Sequence, residues 1–113
     1  MAAFQMRSDI ADTIVSRLLE QVDPLRIYLL GSCARGDERP ESDVDVLIVE
    51  GGAFGRDRPR WRELSRIRRA LADVRGPKDL LLFSADEFDY WKDSPNHIIG
   101  DCAREGVLLY ARH

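Results

Sequence analysis

Gly31-Ser32-Cys33-Ala34-Arg35-Gly36 and, five residues on, Ser42-Asp43-Val44-Asp45 are the stretches that decide how this chain is read. The first follows Leu25 to Leu30, an apolar run rich in strand formers. A strand that ends in Gly-Ser and passes into a helical turn (Ala34 to Gly36) gathers backbone N–H groups and a hydroxyl at one point. Glycine permits close approach and a helix start favours anions, so the turn suits a phosphate. An ordinary strand-to-helix turn with Ser32 as N-cap has the same letters. It is not a Walker loop, because no Gly-Lys-Ser/Thr follows.

The second stretch opens a strand over 43–49. Residues i and i+2 of a strand share a face with Cα atoms ~6.5–7 Å apart. Asp43 and Asp45 therefore stand side by side at the mouth of a sheet. Two carboxylates so placed repel unless a cation lies between them. Mg²⁺ fits, since it takes a few carboxylate oxygens and leaves room for water and substrate phosphates. Asp-x-Asp also serves merely to cap a strand end. The two stretches together say more than either alone: a phosphate cradle on one strand beside a metal pair on the next would hold a nucleotide triphosphate with its metal. Asp79 opens a third apolar strand, 79–83. Paired with the second strand, it would join the acids as a metal ligand or as the base that takes the acceptor's proton. Two metals ~3.5–4 Å apart can serve both oxygens of an in-line displacement.

Outward from these motifs the pattern is α/β, a small mixed sheet with helices packed on it. Ile10, Ile14, Leu18, Leu19 and Val22 recur at helical spacing and predict a helix over 8–22, stopped by Asp23-Pro24. The 43–49 strand is apolar on both faces, which predicts an internal strand. Residues 37–42 read as a loop. Asp57 is expected to cap a helix over 58–74, with Leu64, Ile67, Leu71 and Val74 inward and Arg62, Arg66 and Arg69 outward. Ser84-Ala85-Asp86-Glu87 has the form of a capping box before a helix over 85–91. Ser94-Pro95 is expected to open a helix to Glu105, closed by Gly106 in the left-handed region, before a strand over 107–110. Trp61 and Trp91 are expected as core or interface anchors, His97 as a surface or partly packed residue, and Cys33 as a packed small residue.

Composition sets the limits. The chain has 113 residues, 44% hydrophobic and 33% charged, with two cysteines. That is the scale of a single domain over 1–113 that needs no disulfides. No apolar run approaches the ~20 residues of a membrane span, and a cytoplasmic protein is expected. The net charge of −3 argues against nucleic acid as a direct partner. Charge is unevenly spread: residues 56–75 carry eight arginines against three acids, a net +5, leaving −8 elsewhere. The Arg62, Arg66, Arg69 stripe is a solvated face, a docking face for an acidic partner, or an RNA contact. The overall acidity weakens the last.

In their order and spacing, Gly31-Ser32-x-Ala34-Arg35-Gly36 and Ser42-Asp43-x-Asp45 resemble the signature of the minimal nucleotidyltransferases of the polymerase-β-like superfamily, and in particular the MNT antitoxins paired with HEPN-domain toxins. The likeness extends over nearly the whole chain, through Asp79 to Glu105-Gly106-Val107-Leu108-Leu109-Tyr110. It implies the polymerase-β-like fold and Mg²⁺-dependent transfer of AMP from ATP to a hydroxyl, such as a tyrosine of a cognate HEPN toxin, in a hetero-oligomer with it. It implies Gly31 and Ser32 on the β/γ phosphates, Asp43 and Asp45 on metal, and Asp79 as third acid. Arg35 either contacts phosphate or pairs with nearby acids to hold its loop. Two other functions fit the residues: an antitoxin or binding subunit that acts by occlusion, and transfer to a small-molecule hydroxyl.

Overall fold

The computed structural model describes residues 2–30, 44–74 and 78–112. The Gly31 to Gly36 turn, the loop at 37–42, Asp43 and Gly76-Pro77 lie outside them. The described elements run α1 (Ala2–Gln21), β1 (Pro24–Leu30), β2 (Val44–Glu50), α2 (Arg60–Ala70), β3 (Lys78–Ser84), α3 (Ala85–Trp91), α4 (Ile98–Glu105) and β4 (Val107–Ala111). The strands form one mixed sheet, β3-β2-β1-β4, parallel only between β2 and β3. The architecture is α+β, with helices on both faces.

β2 is internal, as its two apolar faces predict. Val46, Leu47, Ile48 and Val49 are all fully buried. Val46 and Ile48 pack with Ile14 and Leu18 of α1 and Ile67 of α2. Leu47 and Val49 pack on the other face with Leu30, Phe88 of α3, and Ile99 and Cys102 of α4. The strand's period of two thus feeds two separate cores.

Several boundaries differ from expectation, each for a local reason. α1 begins at Ala2, since Ala, Gln, Met and Arg propagate a helix well. α2 is shorter than 58–74. Pro59 holds its N-cap position without any side-chain cap, so Asp57 does not cap it. The C-terminal turn tightens, Val74 N–H donating to Leu71 O, yet Ile67, Leu71 and Val74 are buried as the stripe predicts. α4 begins at Ile98 because His97 caps it, its Nδ1 accepting from Ile99 N–H at 3.1 Å. A Cβ on Gly100 would stand 1.8 Å from Ser94 O, so the 94–97 segment crosses the helix where only glycine fits. Gly106 is extended (φ −69°, ψ 150°), not left-handed. Its glycine answers to space: a Cβ would lie 2.7 Å from Cys102 O and 3.1 Å from Leu30 Cδ2. Neither tryptophan enters the core; Trp61 is 66% exposed and Trp91 38%.

Two arginines fasten the end of the sheet away from Asp45. Arg60 donates twice to Glu87, at 2.9 and 2.6 Å, and to Leu82 O at 2.7 Å. Glu87 also closes the capping box with Ser84, as its sequence predicts. The Arg60 hydrogen bond, then Ser84, holds its carboxyl down at about 2. Arg58 donates to Gly52 O at 2.8 Å and to the buried Glu50. Burial, reinforced by Glu63, pushes the Glu50 carboxyl up to about 8 against the pull of Arg58.

These two acids act on stability in opposite pH windows. Glu87 is favoured ionised in the fold, so its contribution is full above pH 4.5 and fades toward pH 2. Glu50 is favoured protonated, so its contribution is full below pH 4.5 and is lost as pH rises through about 8. In urea unfolding at pH 5, 7 and 9, Glu50→Gln is expected to flatten the alkaline decline seen in the wild type. Equal slopes in the two proteins would remove Glu50 as its source.

Candidate active site

Register brings the acids together. In the parallel β2–β3 pair, Asp45 is the Cα partner of Asp79. In the antiparallel β1–β2 pair, Asp45 is the partner of Leu30. Leu30, Asp45 and Asp79 therefore form one row across three strands, at the end of the sheet from which Gly31-Ser32 departs. Neighbouring strands lie about 4.8 Å apart, and register partners in a parallel pair point to the same face. That face carries Leu47, Leu81 and Phe83, and is covered by α3 and α4.

The two aspartates differ in surroundings. Asp45 is half-buried with its Oδ1 sealed from solvent, whereas Asp79 is exposed. Two ionised carboxylates set side by side on one face repel. A hard divalent cation with oxygen ligands relieves that repulsion, and the donor set is of the kind Mg²⁺ takes. Among the described residues no group of three or more potential ligands forms. Asp43, the remaining acid of the motif, lies outside them, as do Gly31, Ser32 and Arg35.

The base of the row is firm. Leu30 packs with Cys102 and Ile99, and Gly106 lies against both Leu30 and Cys102. Burial pushes the Cys102 thiol up to about 12, so it stays protonated and serves as packing. Further along the same face stands Arg26, which the motifs did not single out. Its guanidinium lies 4.6 Å from the Phe88 ring centroid and donates to Tyr28 Oη at 3.2 Å. The alternation Arg26, Tyr28, Leu30 along β1 is the sequence signal that places it there.

The family model of the nucleotidyltransferase domain matches residues 11–108. This chain belongs to that family. Among solved structures, a candidate nucleotidyltransferase from Sulfolobus solfataricus superposes with a TM-score of 0.65 at 22% identity, over 99% of this chain and 89% of that one. A toxin–antitoxin solved with AMP-PNP gives a TM-score of 0.59 at 19% identity, over 91% and 74%. A mutant of the toxin–antitoxin MntA–HpeT, with two Asp-to-Glu substitutions two positions apart, gives 0.57 at 16%, over 91% and 74%. Identities this low attest the nucleotidyltransferase fold. No curated protein matches the chain in sequence.

If Asp45 and Asp79 share a cation, MgCl₂ at ten times its dissociation constant stabilises the protein by ~1.4 kcal/mol, or about 5 °C in Tm at this chain length. In Asp45→Asn and Asp79→Asn that rise is expected to vanish. A wild-type Tm that ignores Mg²⁺ would overturn this reading.

Proposed function

We propose that this nucleotidyltransferase moves AMP from ATP to a hydroxyl of a partner protein, such as a tyrosine of a HEPN-domain toxin, and so acts as an antitoxin. The observation that carries the chemistry is the Leu30, Asp45, Asp79 row, set at the sheet end where the Gly31-Ser32 turn begins. The sequence motif supports the antitoxin part, as does the likeness to two toxin–antitoxin structures, one of them with AMP-PNP. The two aspartates altered in the MntA–HpeT mutant have the same spacing as Asp43 and Asp45.

In this reading the whole chain is one catalytic domain. Gly31 and Ser32 receive the β/γ phosphates through backbone N–H groups and a hydroxyl. Arg35, next to them in sequence, adds positive charge. Asp43, Asp45 and Asp79 hold Mg²⁺, which when bound neutralises the triphosphate. The acceptor oxygen attacks the α-phosphorus and the bond to the β-phosphate oxygen breaks. Pyrophosphate leaves, and the hydroxyl proton passes to Asp79, the acid of the row that is open to solvent. Most of the rate comes from position and electrostatics, since the chain supplies no covalent intermediate.

The test is label transfer from [α-³²P]ATP to the HEPN-domain toxin in the presence of Mg²⁺. The wild type is expected to label the toxin, and Asp45→Asn or Asp79→Asn to slow labelling by about 10²-fold or more. Absence of labelling would sink the proposal. So would toxin neutralisation at full strength by Asp43→Asn/Asp45→Asn, which would point to occlusion.

A further inference from the structure

The sheet divides the chain's charge. On the face covered by α1 and α2, Arg62, Arg66, Arg68 and Arg69 of α2 are exposed, while Arg60 reaches across to Glu87. On the other face, residues 85–105 carry six acids against Lys92 and Arg104, a net −4 that Arg26 beside Phe88 and Arg60 on Glu87 reduce. Asp86, Asp89 and Asp93 are exposed there. Asp45 and Asp79 point to this acidic side, so the basic helix α2 stands across the sheet from them.

The acidic side also carries a continuous apolar corner. Tyr90 is 75% exposed, Trp91 38% and Ile98 40%. Tyr90 meets Trp91 edge-on at 4.9 Å between ring centroids, and Trp91 stacks on His97 at 4.4 Å. His97 in turn caps the helix that begins with Ile98. His97 also contacts Phe83, four residues along β3 from Asp79. That is about 13 Å along the strand, within the footprint of one protein interface of ~800 Å² per partner.

We infer that the Tyr90, Trp91, Ile98 corner with its surrounding Asp86, Asp89 and Asp93 is the docking surface for a basic protein partner, the molecule that delivers the acceptor hydroxyl. The inference rests on the transfer reading for the partner's role, but the surface is tested by binding alone. Exposed tyrosine and tryptophan in a polar surround are the residue types that dominate interface energy. The acids select lysine- and arginine-bearing surfaces and repel nucleic acid, and they speed encounter. The partner reaches Asp45 and Asp79 from the side on which it docks, which α2 does not offer.

The experiment measures affinity of the HEPN-domain toxin for four proteins at 50 and 300 mM salt, all with the catalytic acids intact. Tyr90→Ala/Trp91→Ala is expected to weaken binding by about 30-fold or more. Asp86→Asn/Asp89→Asn/Asp93→Asn is expected to weaken it about fivefold and to flatten the salt dependence of the wild type. Arg62→Ala/Arg66→Ala/Arg69→Ala is expected to bind within about twofold of wild type. Unchanged binding by the aromatic variant, loss by the arginine variant, or no binding by the wild type overturns the surface. So does sedimentation showing that the corner is covered by a second copy of this chain. Binding that follows the expected order without label transfer upholds the surface and rejects the transfer reading. Label transfer with an unchanged KM for the toxin in the aromatic variant does the reverse.

Discussion

The parallel pairing of β2 with β3 is the constraint on which the rest depends. It sets Asp45 opposite Asp79, and a shift of one residue would turn one of them to the opposite face. Such a shift is barred because β2 is buried on both sides by side chains of matched position. Val46 and Ile48 belong to the core under α1 and α2, Leu47 and Val49 to the core under α3 and α4. Moving either set would leave cavities on one face and overpacking on the other, each costing several kcal/mol. The register that sets the two acids side by side is thus held by hydrophobic packing on both faces of β2.

The edges of this core show the same division of labour. At the Asp45 end, close packing needs very small residues: Gly106 admits Leu30 and the Cys102 carbonyl where a Cβ would not fit. At the far end, charged groups do the fastening. Arg60 joins the start of α2 to the β3–α3 corner through Glu87 and Leu82 O, and Arg58 closes the 51–58 loop on Glu50. Charge-assisted bonds of this kind are strong where partly shielded. They sit away from the acid row, where added fixed charges would compete with a cation.

What was legible in the sequence followed from period and spacing. Apolar residues on both faces of 43–49 announced an internal strand, and Asp79 at the head of an apolar run would join Asp45 if the two strands paired, as they do. The capping box at Ser84 to Glu87 was readable because both its bonds are local in sequence. The errors came where the deciding partner is distant or its role unusual. Gly106 was read as a left-handed cap, but it is extended, and the reason for glycine there is space: a Cβ would collide with the Cys102 carbonyl and press on Leu30. His97 caps α4 with a ring nitrogen, a role its residue type does not advertise. Trp61 and Trp91 read as core or interface anchors, and of the two places the core is excluded, since both rings are exposed. Gly31, Ser32, Arg35 and Asp43 stand on their motif.

The segregation of charge across the sheet was hidden for a different reason. Net charge and its runs can be counted along a chain, but the face on which a run lies is set by how an element crosses the sheet. The arginine-rich segment is the most concentrated charge in the chain, and by sequence its stripe is a solvated face, a docking face for an acidic partner or an RNA contact. Its stripe of Ile67, Leu71 and Val74 commits α2 to the Val46 and Ile48 side, while parity along β2 sends Asp45 to the other. On the proposed transfer, a partner that must meet both the acids and a surface of this domain meets the acidic one.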